Sequence, residues 1–252
     1  MKNNEKNWKR IVSMAAIAVL MAVAMFAPVY AHDDGKPGVY PRDSVVFGRD
    51  YGEWSAAWRQ WADSMPWTSH PLFDTADCSE GQSGPVWFLG GRFCGTEQPG
   101  CDNSEVKRSC KVPAGKPLFF PVVNNACIDG ETKINACFDL TAPNIALMRD
   151  RLAGSIDPVT GLGVTVDGKP MKGNLKKDFR VQSVVYPTLV TDNSLFVAIG
   201  EPEIVAGTYF GVDDGIYVML EPIEKGKHTL KFKGRFPQYD FSLDVTYFLT
   251  VE

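Results

Sequence analysis

Trp67, His70 and Asp74 lie within eight residues of one another and have Pro66 and Pro71 beside them. An indole face outside a helix can stack on a sugar ring or another flat ligand, while an imidazole and a carboxyl beside it supply hydrogen bonds. Trp87, also outside any helical pattern, joins them, so Trp67, Trp87, His70 and Asp74 are the candidate ligand contacts, with Trp67 first. The acids around them are Asp74, Asp77, Glu53 and Asp63. Two carboxylates facing each other across a cleft would suit glycoside hydrolysis, one as acid and one as base or nucleophile. The spacing of these four fixes no such pair, and solvated loops are their ordinary setting.

Other chemistries find little support. Ser83 in Gly81–Pro85 resembles a nucleophile elbow, but Pro85 stands where the second glycine belongs and a strand, not a helix, follows. Neither phosphate-binding glycine pattern occurs, so nucleotide binding is set aside. No C-x2-C spacing marks a zinc site. Asp213, Asp214, Asn124, Asn125 and Asp129 offer oxygens for a structural calcium, without the spacing of an EF-hand loop. The sequence therefore assigns no metal site and no catalytic residue, and the balance leans away from an enzyme.

The elements that must position these residues begin after an address. Lys2, Lys6, Lys9 and Arg10 precede an uncharged apolar run from Ile11 to Ala27, and Val29-Tyr30-Ala31 fits a cleavage site. This is the layout of a secretory signal peptide over 1–31, leaving a single exported domain over 32–252, periplasmic or extracellular and bacterial, with no transmembrane segment. Cleavage after Ala31 would make His32 the amino terminus. A terminal amine and imidazole with a second histidine can hold copper, as in lytic polysaccharide monooxygenases, and His70 and His228 are the possible partners. His32 heads a polar stretch that suits a free tail, which weighs against that reading.

The chain has 252 residues, 44% hydrophobic and 22% charged, with 26 basic against 30 acidic side chains and a formal charge of −4. Removing the leader takes four bases and one acid, and the charge becomes −7. That composition is globular and gives no electrostatic footprint for nucleic acid. All six cysteines fall between Cys78 and Cys137. In an oxidising compartment they form three disulfides, with fifteen connectivities open. The nested local set Cys78–Cys110, Cys94–Cys101 and Cys127–Cys137 is preferred.

Tyr51, Trp54, Trp58 and Trp61 share one face of a helix over 51–64, started by Asp50 and Glu53 and stopped by Pro66. That spacing predicts a core stripe. A second, short helix is predicted over 142–152, capped by Thr141 and closed by Gly154. Strict alternation from Phe241 to Val251, with Phe248 the one apolar residue on the polar side, marks a half-buried strand. Shorter strand patterns fall at 163–166, 180–186, 194–199, 207–211, 215–221 and 228–233, with turns at Asp167-Gly168, Asp214-Gly215 and Lys225-Gly226. The expected fold is mainly β, an antiparallel β-sandwich or jelly roll with one Trp-rich amphipathic helix and a short second helix. A twisted sheet backed by the Trp helix is the alternative. The Trp/Cys-rich half (44–137) and the β-rich half (160–252) have no linker between them.

Three segments, Tyr51–Ala62 (YGEWSAAWRQWA), Gly81–Gly90 (GQSGPVWFLG) and Val112–Asn124 (VPAGKPLFFPVVN), together resemble a group of bacterial exported proteins. The likeness covers about 45–125 and, more loosely, 205–251, and the Cys94–Cys101 loop looks like an insertion within it. It implies export and brings no activity. From the residues, the leading expectation is a non-catalytic exported binding protein with carbohydrate as the ligand class, on aromatic content. The contrasting readings are a carbohydrate-active enzyme, hydrolytic through acids near Asp74 or oxidative through copper at His32, and a structural envelope protein.

Overall fold

Fourteen residues between Tyr51 and Ser64 form helix α1, and local chemistry sets both of its ends. The Glu53 N–H donates to Asp50 Oδ1 at 2.8 Å while the Asp50 N–H donates to Glu53 Oε2 at 2.9 Å, so two amides left over at a helix start are satisfied reciprocally. Met65 turns extended and Pro66 follows. The computed structural model to which α1 belongs describes residues 38–73, 77–93, 103–130, 137, 142–198 and 204–252, all within one compact unit, His32–Glu252.

In chain order the strands are β1 (Trp87–Phe88), β2 (Val106–Val112), β3 (Leu118–Ile128), β4 (Thr160–Val166), β5 (Lys169–Pro170), β6 (Arg180–Gln182), β7 (Tyr186–Val190), β8 (Gly207–Leu220), β9 (Gly226–Phe236) and β10 (Phe241–Val251). Helices α2 (Ala142–Ile156), α3 (Leu175–Phe179) and α4 (Leu195–Ala198) lie between them. The first sheet runs β1-β3-β8-β6, with β7 also paired to β8. The second runs β2-β10-β9-β4-β5. Pairing is antiparallel except for β1 with β3 and β2 with β10, which are parallel, so both sheets are mixed.

The sheets meet through Phe120 stacked on Phe232 at 4.8 Å, with Tyr247 continuing the stack. On the opposite face of the first sheet lies α1, whose Tyr51 and Trp58 meet Phe119 and Tyr217 edge-on. The sandwich and the sheet backed by a Trp helix are thus both present, as three layers. Trp54, Trp58 and Trp61 are buried, and their indole N–H groups donate to the carbonyls of Val46, Leu89 and Glu80. Each large ring is interior and its one polar atom is paired.

Strand β10 follows its alternation, with Leu243, Val245, Tyr247, Leu249 and Val251 inward. Three local expectations are corrected. The turn at Asp214-Gly215 is absent, and β8 runs straight through it, because the two carboxylates accept hydrogen bonds from Arg180 and Tyr217. Residues 195–198 are a helical turn, α4, in place of the strand predicted over 194–199. The predicted 180–186 strand breaks at Ser183, whose side chain and backbone are both bonded to the Asp213 backbone. Helix α2 also continues through Gly154, about one turn past its predicted end at 152, to bury Ile156; Thr141 lies outside the described residues.

Two disulfides occupy the described residues. Cys78–Cys110 ties the 77–82 segment to β2, and Cys127–Cys137 closes a loop at the end of β3, against Met148 and Leu152 of α2. The expected Cys94–Cys101 bridge lies outside the described residues. Among those residues, no helix is long and apolar enough to cross a membrane.

Candidate functional site

Where α1 ends, the chain turns through a short 3-10 segment, Trp67–Ser69, and the Trp67 N–H donates to the Asn193 carbonyl at 2.6 Å. The segment after it is fastened from three sides. The Leu72 N–H donates to His70 Nδ1 at 3.2 Å, the Phe93 N–H donates to the Leu72 carbonyl, and Arg108 Nη1 donates to the carbonyls of Pro71, Gly90 and Gly91. A side chain at position 90 would place its Cβ 2.2 Å from the Pro71 oxygen, so only glycine lets these two strands of loop approach.

On this pinned support Trp67 is 41% exposed, while Trp87 is 5% exposed and His70 is fully buried. The Trp67 ring meets Phe73 edge-to-face at 5.8 Å, and Phe73 meets both His70 (5.6 Å) and Phe93 (6.2 Å) in the same way. Phe73 and Phe93 are half-buried. The result is one accessible indole on an aromatic ledge; Trp67 and Phe73 stand at 86° and make no coplanar platform.

His70 lies beneath that ledge. Burial pushes its pKa down to about 3, helped by the nearby Arg59 and Arg108 guanidinium groups, so the ring is neutral and holds the loop from within. It therefore has no open face for a ligand. Trp87 is core, with the Lys116 ammonium 5.5 Å over its ring. Asp74 and His32 lie outside the described residues. His228 sits at the start of β9, its Nδ1 2.8 Å from Asp167 and its Nε2 2.9 Å from the Glu224 carbonyl. The copper set is thus not assembled by His70 and His228, each of which is already engaged in a different element.

The acids are likewise committed. Glu53 caps α1. Asp77 accepts from the N–H and hydroxyl of Ser79, which hold its carboxyl below the usual range. Asp63 is buried with Arg59 at 2.6 Å. Ser83 is exposed in the turn before β1. Between Trp61, Phe88, Gly90, Arg108 and Tyr247 lies a cavity with ≈ 20 Å³ of room for water centres, enough for about one water and no sugar ring.

A polar cluster lies between one part of α1 and the first sheet. Arg59 reaches Asp63, whose other oxygen accepts from Thr188. Beside them Asp213, fully buried, accepts from the Tyr217 hydroxyl at 2.7 Å and from Asn124 at 3.0 Å. Burial pushes the Asp213 carboxyl up to about 7, against the opposing pull of Arg59. Gly215 admits this arrangement, since a Cβ there would meet Asn124 at 2.6 Å. Asp214 pairs with Arg180 and Gln182 instead. The Asp213 and Asp214 carboxylates are thus taken by N–H and O–H donors, and among the described residues no group of three or more His, Cys, Asp or Glu could hold a metal ion.

Sequence reading misses Phe73 and Phe93, the two rings that carry Trp67. Both flank prolines or glycines in irregular segments with no period, so only the tertiary contact shows them. It also misses the Arg59–Asp213 layer; the one available signal is an Arg on the helix beside a Trp stripe, a charge next to a core face.

No family model matches the chain, and no curated protein matches it. A search of solved structures finds a chain from the structure of PbICP-C in complex with falcipain-2, at a TM-score of 0.26 and 8% identity over 67% of this chain and 100% of that one. A likeness that low carries nothing to this protein. What it is must rest on its own geometry: a disulfide-linked β-sandwich with one exposed indole on a fixed ledge.

Proposed function

We propose that this is an exported, non-catalytic binding protein of the cell envelope or its surroundings, and that the Trp67 ledge takes the apolar face of a sugar ring. The observation that carries the reading is the exposure of Trp67 on a loop held by Arg108, Asn193 and His70. A side chain already held still loses little freedom on binding, which favours affinity per contact. The leader-like residues 1–31 and the disulfides support export. The acids described around the ledge are engaged in a helix cap, a turn and a buried ion pair, which supports binding without turnover.

Calorimetric titration of neutral oligosaccharides into the exported protein tests this. Trp67→Ala should weaken the best ligand about tenfold or more, and Phe73→Ala less. Equal binding by Trp67→Ala, or no binding across the panel, would overturn the reading and leave a structural envelope role.

A further inference from the structure

The second sheet has its own exposed aromatic. Phe248, on the outward face of β10, is 47% exposed in a position where the alternation calls for a polar residue. The strand register defines its surroundings. Phe248 pairs with Thr229 of β9 and Ser109 of β2. Thr246, two residues before it, pairs with Lys231 and Lys107; Thr250, two residues after it, pairs with Lys227 and Lys111. All of these face outward, because residues two apart on a strand, and residues paired across strands, share a face. One phenyl ring thus has a lysine at each of its four diagonal corners and Ser109, Thr229, Thr246 and Thr250 along its sides.

The charges around this square are named readily. Lys107 pairs with Glu105, Lys111 with Glu252, and Lys231 with both Glu105 and Asp244. The Thr246 hydroxyl donates to Glu105, and these contacts draw the Glu105 carboxyl down to about 2. Lys227 is exposed on the same face. With Lys233, paired in register with Asp244, and Asp167, which accepts from the Thr229 N–H, five cations stand against four carboxylates, a surplus of one on a chain whose formal charge is −4. The ion pairs of Lys107 and Lys111 are exposed, and such pairs exchange readily with other anions.

We propose that this face is a second binding site, distinct from the Trp67 ledge, that takes an acidic saccharide: a ring stacked on Phe248, its carboxylate or sulfate on a corner lysine, its hydroxyls on Ser109, Thr229 and Thr250. Charge complementarity selects this occupant. The surplus is small and the rest of the chain is acidic, which suits one anion per sugar unit and disfavours a dense polyanion such as duplex DNA or an anionic bilayer.

The test is calorimetric titration of a galacturonate hexamer into the exported protein, beside a neutral glucose hexamer. The acidic hexamer should bind more weakly as salt rises, since exposed charges are screened. Phe248→Thr, which keeps strand propensity on an exposed site, should weaken it about tenfold; Lys111→Gln and Lys227→Gln should each weaken it less. Trp67→Ala should leave it unchanged, which separates this site from the ledge. An unchanged affinity in Phe248→Thr, no binding of the acidic hexamer, or equal capture of anionic phosphatidylglycerol vesicles or duplex DNA through the same lysines would overturn it.

Discussion

Against the second sheet, β3 and β8 present Phe120 and Val218, and Phe120 stacks on Phe232. Their other face, under α1, carries Phe119 and Tyr217 and then, further along the strands, Asn124 and Asp213 against Arg59 and Asp63. The same two strands thus bury one dry face and one charged face. The dry face is held by area and shape, terms with no dependence on pH. The charged face holds one buried cation and two buried carboxyls, and it reaches neutrality only with a proton on one of them. The fold has accepted a layer whose stability is linked to protonation, where an apolar layer of equal volume would serve at least as well.

That contrast can be broken from either side. Phe232→Ala should remove about 3–5 kcal/mol by leaving a cavity in the dry face, and urea unfolding should give the same loss at acid and neutral pH. A loss that varies with pH would show the two faces to be coupled. Arg59→Met should cost about 3–5 kcal/mol at neutral pH, since it leaves Asp63 and Asp213 buried without their cation, and less at low pH, where both carboxyls are protonated. A cost independent of pH would mean that Arg59 acts by packing alone.

Smaller effects sharpen the picture. Asp213 has its folded pKa raised to about 7 from an unfolded value near 3.9. Its contribution is therefore fully present below about pH 4 and is lost as pH rises through about 7. Asp213→Asn should flatten stability across that window, to be read by urea unfolding at several pH values; an unaltered slope would place the proton elsewhere. His70, lowered to about 3, acts in the opposite direction: its contribution is present above about 6.5 and is lost as pH falls toward 3. His70→Phe should remove that acid-side loss. Trp67→Ala, at the exposed ledge, should change stability by less than about 0.5 kcal/mol, and a larger loss in thermal unfolding would make the ledge part of the core.

How much of this could be read from residues alone depended on the range of the interaction. Asp50 with Glu53 and the Trp54–Trp58–Trp61 stripe are local, and they fixed α1 to its ends. The β10 alternation was equally plain, and it exposed Phe248 as the exception on the polar side. Asp214-Gly215 reads as a turn because Asp-Gly is a common turn pair, yet the Asp213 and Asp214 carboxylates are bonded within β8's surroundings. Their donors, Tyr217, Asn124, Arg180 and Gln182, come partly from strands far away in sequence, so nothing local distinguishes a turn from a buried central strand. The ledge was half legible. Trp67 lies off the helical stripe and is exposed; His70, three residues on, is buried in a loop pinned by Arg108 and by the Gly90 approach to Pro71, neither of which leaves a periodic mark.

The parallel pairing of β2 with β10 carries a further consequence. Arg108 on β2 donates to the Tyr247 hydroxyl on β10 across 139 residues of sequence, and β10 lies between β2 and β9. As the chain folds, β2 cannot be seated until β10, its one strand neighbour among the described residues, reaches it. Closing so long a loop before any contact rewards it makes for slow, late assembly. The Cys78–Cys110 bond spans a sequence separation of only 32, so it can form before the second sheet closes and shorten the search that closes it.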